Sequence, residues 1–294
     1  MKLSRFQFIF STQEKIIFTQ FPGSALRGVF GHALKAVSCV AQREHCQGCT
    51  QQFQCAFPQV FKTTKLEKQQ LKAVPQPLIL DTSEIPKVIN AGEQFSIYIS
   101  LVGDSNQYID SIIQAWVFAG QLGLNSQGSK TTFHLESVHT VDLSLPKSIS
   151  HSKLLLIDLL TPHRAFRREG EKRRKQLITT KTFITNTYVA NIIRRYSHLE
   201  HLYGERLSED KLQELMNASY AVAPVQQSLV LEKHHRISQN QNKKLDLSGL
   251  VGNITIKGNI ETLLPILWLG QWLHVGNNPM YGLGRYHMTG VSYV

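Results

Sequence analysis

Twice along its 294 residues this chain runs through one order of apolar patterns: strand, helix, strand, strand, helix, strand. That order is the βαββαβ unit of ferredoxin-like folds, and it leaves few topologies open. In the first half, residues 3 to 10 alternate loosely and are rich in phenylalanine and isoleucine, which predicts a strand. A helix follows, with Ser24 as N-cap and Leu26, Val29, Phe30, Ala33, Leu34 and Val37 at three- and four-residue intervals. Pro77 to Leu80 and Gln94 to Val102 read as strands. Ile109 to Gly120 forms a second helix, and Thr131 to Val141 a fourth strand. The second half repeats the order with strands at Lys153 to Leu160, Val225 to Ile237, Leu250 to Lys257 and Gly284 to Tyr293. Its helices are expected over Thr180 to Tyr203 and Thr262 to Val275. Trp116 to Leu135 and Leu267 to Tyr286 each pass from helix through a glycine loop to a strand, as an internal duplication would. The expected fold is therefore α+β: two tandem ferredoxin-like (RRM-like) domains over 1–147 and 148–294, with a small four-cysteine insertion at 39–55 and a C-terminal glycine-rich loop.

Charge then narrows the partner. Lys and Arg number 32 against 21 Asp and Glu, a formal net charge of +11, which favours a polyanion such as nucleic acid or an acidic membrane surface. No apolar run approaches the roughly 18 residues of a spanning helix, and Met1 to Phe6 breaks its hydrophobicity too early for a signal peptide. A soluble cytoplasmic protein is expected. The positive charge is concentrated. Arg164 to Lys175 holds seven basic residues, among them Arg164, Arg167, Arg168, Arg173, Arg174 and Lys175, against two Glu. Lys233 to Lys244 contains Arg236, Lys243 and Lys244 with no acid. Lys and Arg neutralise phosphates, while the Asn and Gln of the second stretch can read base edges. Either stretch could equally be a solvated loop.

Three further features carry chemistry. Gly276, Gly282 and Gly284, with Pro279, free the backbone between the last helix and the last strand for close approach to a ligand, and Arg285 adds charge. The order helix, loop, strand does not fit a dinucleotide fingerprint, in which the glycine turn opens a helix. In the first helix, Gly28, Gly31, His32 and Lys35 form a stripe opposite the apolar one, with Arg27 beside it. Interior glycines cost up to about 1 kcal/mol each, so that face suggests close packing against something. All four cysteines, Cys39, Cys46, Cys49 and Cys55, crowd one segment with a C-x2-C turn at its centre, which suits a closed structural zinc site with no catalytic role. Four reduced cysteines are the alternative, and His45 is a substitute ligand. No paired carboxylates are placed for two-metal nuclease chemistry, so no metal is expected in catalysis.

Leu26-Arg27-Gly28-Val29-Phe30-Gly31-His32-Ala33-Leu34, the cysteine segment, Arg236-Ile-Ser-Gln with Leu247-Ser-Gly-Leu-Val-Gly, and the ending Leu264 to Tyr286 occur in that order. Together they resemble the CRISPR-associated endoribonucleases of the RAMP superfamily that process precursor CRISPR RNA. The resemblance covers nearly the whole chain. It implies RNA binding by the glycine-rich loop and metal-independent cleavage within the repeat, in which the ribose 2′-hydroxyl attacks the adjacent phosphate to leave a 2′,3′-cyclic phosphate and a 5′-hydroxyl. That reaction needs a base, an acid and cations around the phosphorane, and histidine suits the proton transfers. The family places its catalytic histidine in or near the first helix, which points to His32, with Lys35 or Arg27 stabilising charge. His274, at the mouth of the glycine loop, is the rival. The other readings are a non-cleaving repeat-RNA-binding subunit of a CRISPR effector or a reverse-transcriptase/integrase adaptation complex, and a zinc-containing protein that binds nucleic acid generally.

Overall fold

The computed structural model describes residues 1–18, 21–43, 45–62, 74–126, 129–150, 152–169, 174–238 and 243–291. The chain divides into two compact units, Met1–Val141 and Asp142–Val294. Among the described residues no helix is long and apolar enough to cross a membrane.

The first unit runs β1 (Leu3–Ser11), α1 (Pro22–Ser38), β2 (Leu78–Asp81), β3 (Gln94–Val102), α2 (Ile109–Leu122) and β4 (His134–Thr140). Its sheet has the order β2-β3-β1-β4 with every neighbouring pair antiparallel. That order is the ferredoxin-like arrangement the sequence predicts. Alternation along β1 sends Phe8 and Phe10 inward, where Phe10 stacks on Phe95 at 5.3 Å and meets Trp116 and Phe133 edge-on at 5.5 and 5.4 Å. From α1, Phe30 stacks on Trp116 at 4.8 Å. Each such ring, fully buried, contributes roughly 2–3 kcal/mol by area, and the quadrupoles favour the edge-on pairs.

Local details depart from the sequence reading. Phe21 precedes α1 as N-cap and Pro22 opens the helix, so Ser24 lies inside it. Proline suits that position because its missing N–H would have no partner there. Val37 is 37% exposed and falls off the buried stripe. Gly31 is buried, and a Cβ there would stand 2.4 Å from the Phe61 ring. This glycine serves an aromatic neighbour and not a ligand. The last strand begins only at His134, because Leu124 pairs with Thr131 in a separate short hairpin. Arg5 and Asp81, 3% and 1% exposed, form an ion pair at 2.6 Å, with Arg5 also donating to Ser100 and lying over the Tyr98 ring.

The second unit runs β5 (Leu154–His163), α3 (Thr185–Tyr203), α4 (Glu209–Tyr220), β6 (Ala223–Glu232), β7 (Gly249–Lys257), α5 (Ile260–Leu273) and β8 (Tyr286–Val291). Its sheet order, β6-β7-β5-β8, repeats the first, again with antiparallel neighbours. Helix α4 has no counterpart in the expected pattern. The Ser208 hydroxyl caps it by accepting from the Lys211 N–H at 3.2 Å, acidic Glu209 and Asp210 occupy its first turn, and Leu215, Ala218 and Ser219 are its buried face. Both features favour a helix start. The β5–β7 register shifts between Leu250, opposite His163, and Gly252, opposite Leu159. Residues 160–162 of β5 are thereby released from ladder pairing, and the C-terminal loop docks on them.

Candidate nucleic-acid interface

The loop between α5 and β8 is bolted to the end of β5 through its backbone. Thr161 Oγ1 donates to the Gly282 carbonyl at 2.8 Å and accepts from the Arg285 N–H at 2.9 Å. The Leu160 N–H donates to the Arg285 carbonyl, Gly284 N–H to Pro162 and Val275 N–H to Gly284. Gly276 and Gly284 have φ of +103° and +79°. A Cβ at Gly276 would lie 2.6 Å from the Arg164 carbonyl oxygen, and one at Gly284 would lie 2.0 Å from that of Val275. These glycines therefore let backbone approach backbone, which corrects the expectation that they open the loop to a ligand.

Three expected RNA contacts consequently turn inward. Gly282 and Gly284 are buried, and Arg285, 8% exposed, donates from its guanidinium to the carbonyls of Gln271 and Tyr286. His274, the rival catalyst, has no exposed surface, and its Nδ1–H donates to the Leu283 carbonyl at 3.1 Å. Such burial keeps RNA away from the ring while the loop stays in place. What the loop offers outward is exposed Asn277 and half-buried Gly276, Asn278, Pro279 and Tyr281.

Beneath the loop lies His163, 2% exposed, whose Nδ1–H donates to the Val275 carbonyl at 3.1 Å and whose ring meets Tyr188 edge-on at 4.8 Å. Burial pushes its pKa down to about 4 from the usual 6.5, against the raising effect of that hydrogen bond. The unfolded chain thus binds a proton that the folded one refuses across that window. The contribution to stability is complete above about pH 6.5 and is lost progressively toward pH 4, by up to about 3 kcal/mol. Urea unfolding of the wild type should show this slope between those pH values. In His163→Gln the slope should flatten.

Arg164 is the junction of the site. Its carbonyl accepts from the Asn277 N–H at 2.7 Å and from the Asn277 side chain at 3.2 Å. Its guanidinium, almost wholly buried, donates to Asp246 Oδ2 at 3.2 Å and to the Ser248 carbonyl at 2.8 Å, and lies 4.8 Å from the Phe166 ring centre. Burial raises the Asp246 pKa, but bonds from Ser248 and the Arg164 charge outweigh it and hold the carboxyl below its usual range. Arg164 is thus an anchor, where the sequence reading made it a direct RNA contact.

Two basic hairpins rise from this anchor. In the first, Phe166–Glu169 pairs with Arg174–Leu177, setting Arg168 directly opposite Lys175. Arg168, Arg174 and Lys175 are exposed and Arg167 is half-buried. Like charges opposed across a ladder are destabilising, so the Arg168–Lys175 pair is a feature that an anion would relieve. Lys175 Nζ also lies 6.0 Å from the Phe166 ring centre. The second hairpin pairs His235–Ser238 with Lys243–Asp246, which places the backbones of Arg236, Lys243 and Lys244. Arg173 lies outside the described residues. Asp246 and Ser248 escaped the sequence reading, although the first acid after an acid-free basic run was a visible signal.

In the first unit, His32 is exposed on α1, between exposed Ala25 and Ala36, and Lys35 is half-buried one turn further on. Arg27 is half-buried with its guanidinium 4.5 Å from the Phe61 ring centre. All four cysteines are reduced and half-buried, and His45 is exposed. Among the described residues no three Cys, His, Asp or Glu side chains are grouped closely enough to hold a metal ion as the chain lies.

Residues 1–158 match the AF_1859 N-terminal domain family, and residues 157–286 match the family described as CRISPR-associated endoribonuclease Cas6. By its first 158 residues the chain belongs to the AF_1859 N-terminal domain family, and its second unit is similar to Cas6. An uncharacterized protein of Archaeoglobus fulgidus is 21% identical over 290 residues, covering 91% of each chain. A Cas6 product complex matches with a TM-score of 0.60 at 12% identity, over 98% of this chain and 99% of that one. A partial Cas6-RT-Cas1–Cas2 complex matches with a TM-score of 0.58 at 13% identity, over 98% of this chain and 46% of the longer one. At these identities the likeness is one of fold, and the tandem ferredoxin-like architecture of this chain is common to both.

Proposed function

We propose that this chain binds CRISPR repeat RNA and cleaves precursor CRISPR RNA within the repeat, by metal-independent attack of a ribose 2′-hydroxyl on the adjacent phosphate. One observation carries the RNA reading: Arg164 ties two basic hairpins and the glycine loop together, and on the first hairpin Arg168 and Lys175 stand exposed and opposed. Phosphates between them would relieve that repulsion. Arg168→Glu combined with Lys175→Glu is expected to weaken binding of repeat RNA and to flatten the slope of log K against log salt by about 1.5, as two lost phosphate contacts require. An unchanged slope would remove the hairpin from the interface.

For cleavage, the 2′-oxygen bonds to phosphorus, its proton passes to a base, and the P–O5′ bond breaks with a proton delivered to the leaving oxygen. The products carry a 2′,3′-cyclic phosphate and a 5′-hydroxyl. His32 is assigned one of the two proton transfers, since it is exposed on the helix where the family resemblance places the catalyst, and Lys35 follows one turn later to stabilise charge on the phosphorane. The test is incubation with repeat RNA in EDTA, beside a substrate with a single 2′-deoxy sugar at the cut. Cleavage that survives chelation and vanishes with the deoxy sugar is the expected result. Tight binding with intact RNA in both lanes would favour the second reading, a non-cleaving repeat-RNA-binding subunit. That reading draws support from the fold shared with a Cas6-RT-Cas1–Cas2 complex.

A further inference from the structure

The segment from Cys39 to Cys55 leaves the end of α1, where the Cys39 N–H donates to the Lys35 carbonyl at 2.9 Å, and returns at Phe57–Phe61. Along it only Cys39, Cys46, Cys49, Gln52 and Cys55 are half-buried. Every other described residue is exposed, including Val40 at 81% and Phe53 at 61%. Its Val and Phe side chains thus face water while its four cysteines are half-buried. A loop that turns Val and Phe outward gains almost nothing from the hydrophobic effect, and ordering each of its residues costs about 1–2 kcal/mol. Polar contacts hold part of it: the Cys55 Sγ–H donates to the Ser38 carbonyl at 3.4 Å, at the end of α1, and the Gln59 side chain donates to the Gln52 carbonyl at 3.0 Å.

The turn at its centre has the form of a ligand knuckle. The Cys49 N–H donates to the Cys46 carbonyl at 3.1 Å, Gly48 supplies φ of +73° at the bend, and Arg43 donates to the Gly48 carbonyl at 3.3 Å.

We infer that Cys39, Cys46, Cys49 and Cys55 close on one zinc ion as a tetrathiolate centre that staples the end of α1 to the Phe57–Phe61 turn. On binding, the four thiol protons pass to solvent and four Zn–S bonds form, each about 2.3 Å long. As the chain lies, the sulfurs are not gathered at that spacing. Sites of this kind assemble as the metal binds. The consequence reaches α1 through Phe61, which packs on Gly31 and lies under the Arg27 guanidinium. This inference rests on no part of the RNA reading.

Elemental analysis of the full chain, purified without chelator, is expected to find about one zinc per chain, with all four thiols shielded from alkylation until the protein is denatured. Exchange for Co2+ should give the sulfur-to-metal charge-transfer and d–d bands of a tetrahedral tetrathiolate. Cys46→Ser with Cys49→Ser should lose the metal. Because that variant could misfold, stripping the wild type with a chelator and a mercurial supplies a second readout: a protease should cut within the loop in the stripped chain and stop cutting once zinc is restored. Metal-free protein with four freely alkylated thiols would overturn the inference. So would a mass showing two disulfides, or the visible absorption of an iron–sulfur cluster.

Discussion

His32→Ala is expected to slow cleavage of repeat RNA by about 10²–10⁴-fold, the usual worth of a positioned proton-transfer group, and to leave RNA affinity close to that of the wild type. The two halves of this expectation have different sources. An imidazole contributes little to holding a polyanion compared with the guanidinium and ammonium groups of the hairpins, so binding should persist. Proton transfer is made only in the transition state, so its loss appears in the rate of the chemical step. Single-turnover cleavage at saturating protein reads that step directly. The position is well suited to substitution: His32 is exposed on α1, so alanine removes no packing and should keep the melting temperature. Wild-type cleavage by the variant would overturn the assignment and send the search to the other exposed histidines of the chain. His274 would not inherit it, because its ring is wholly enclosed.

Gly284→Ala is expected to cost about 2–5 kcal/mol, from left-handed backbone strain together with overpacking, and to weaken RNA binding with it. The matched control is Gly92→Ala. Gly92 has φ of +81° against +79° at Gly284, but nothing lies within 4 Å of its added Cβ, whereas at Gly284 the Val275 carbonyl oxygen lies 2.0 Å away. The control should therefore lose only about 1–2 kcal/mol, the ordinary penalty of the left-handed region. Backbone cannot yield as a flexible side chain can, so the Val275–Gly284 hydrogen bond must break and the hold of Thr161 on Gly282 and Arg285 with it. Chemical denaturation of the three proteins checks this. Equal losses in the two variants would show that the loop tolerates displacement.

Both six-element repeats were legible because their strands are β-branched and aromatic and their helices carry apolar residues at helical spacing. Helix α4 was legible in principle, since Ser208 followed by Glu209 and Asp210 is a start signal and Leu212, Leu215, Met216 and Ser219 share a face. It is a seventh element that the six-element βαββαβ order does not contain. The glycine loop misled for a different reason. Composition reveals that a backbone can adopt positive φ, but not what then approaches it, and here the neighbour is the chain's own carbonyls. Arg164 and Arg285 carry the same charge as Arg168, yet burial makes them structural. That distinction depends on the β5–β7 register shift, which sets Leu250 opposite His163, and on Asp246, 82 residues from Arg164. Charge density marked the two hairpins, and only the fold separated the buried Arg164 from the exposed Arg168, Arg174 and Lys175.

The Arg164 junction has a bearing on how such a protein can change over time. Both hairpins are fixed at their bases by bonds that involve backbone carbonyls, Asp246 and one buried guanidinium. Substitutions at the exposed Arg168, Arg174 and Lys175 therefore leave those bonds in place. A lineage could retune what it grips as its nucleic-acid partner drifts, keeping the scaffold untouched. Divergence should concentrate at the ends of the two ribbons and spare the residue from which they spring.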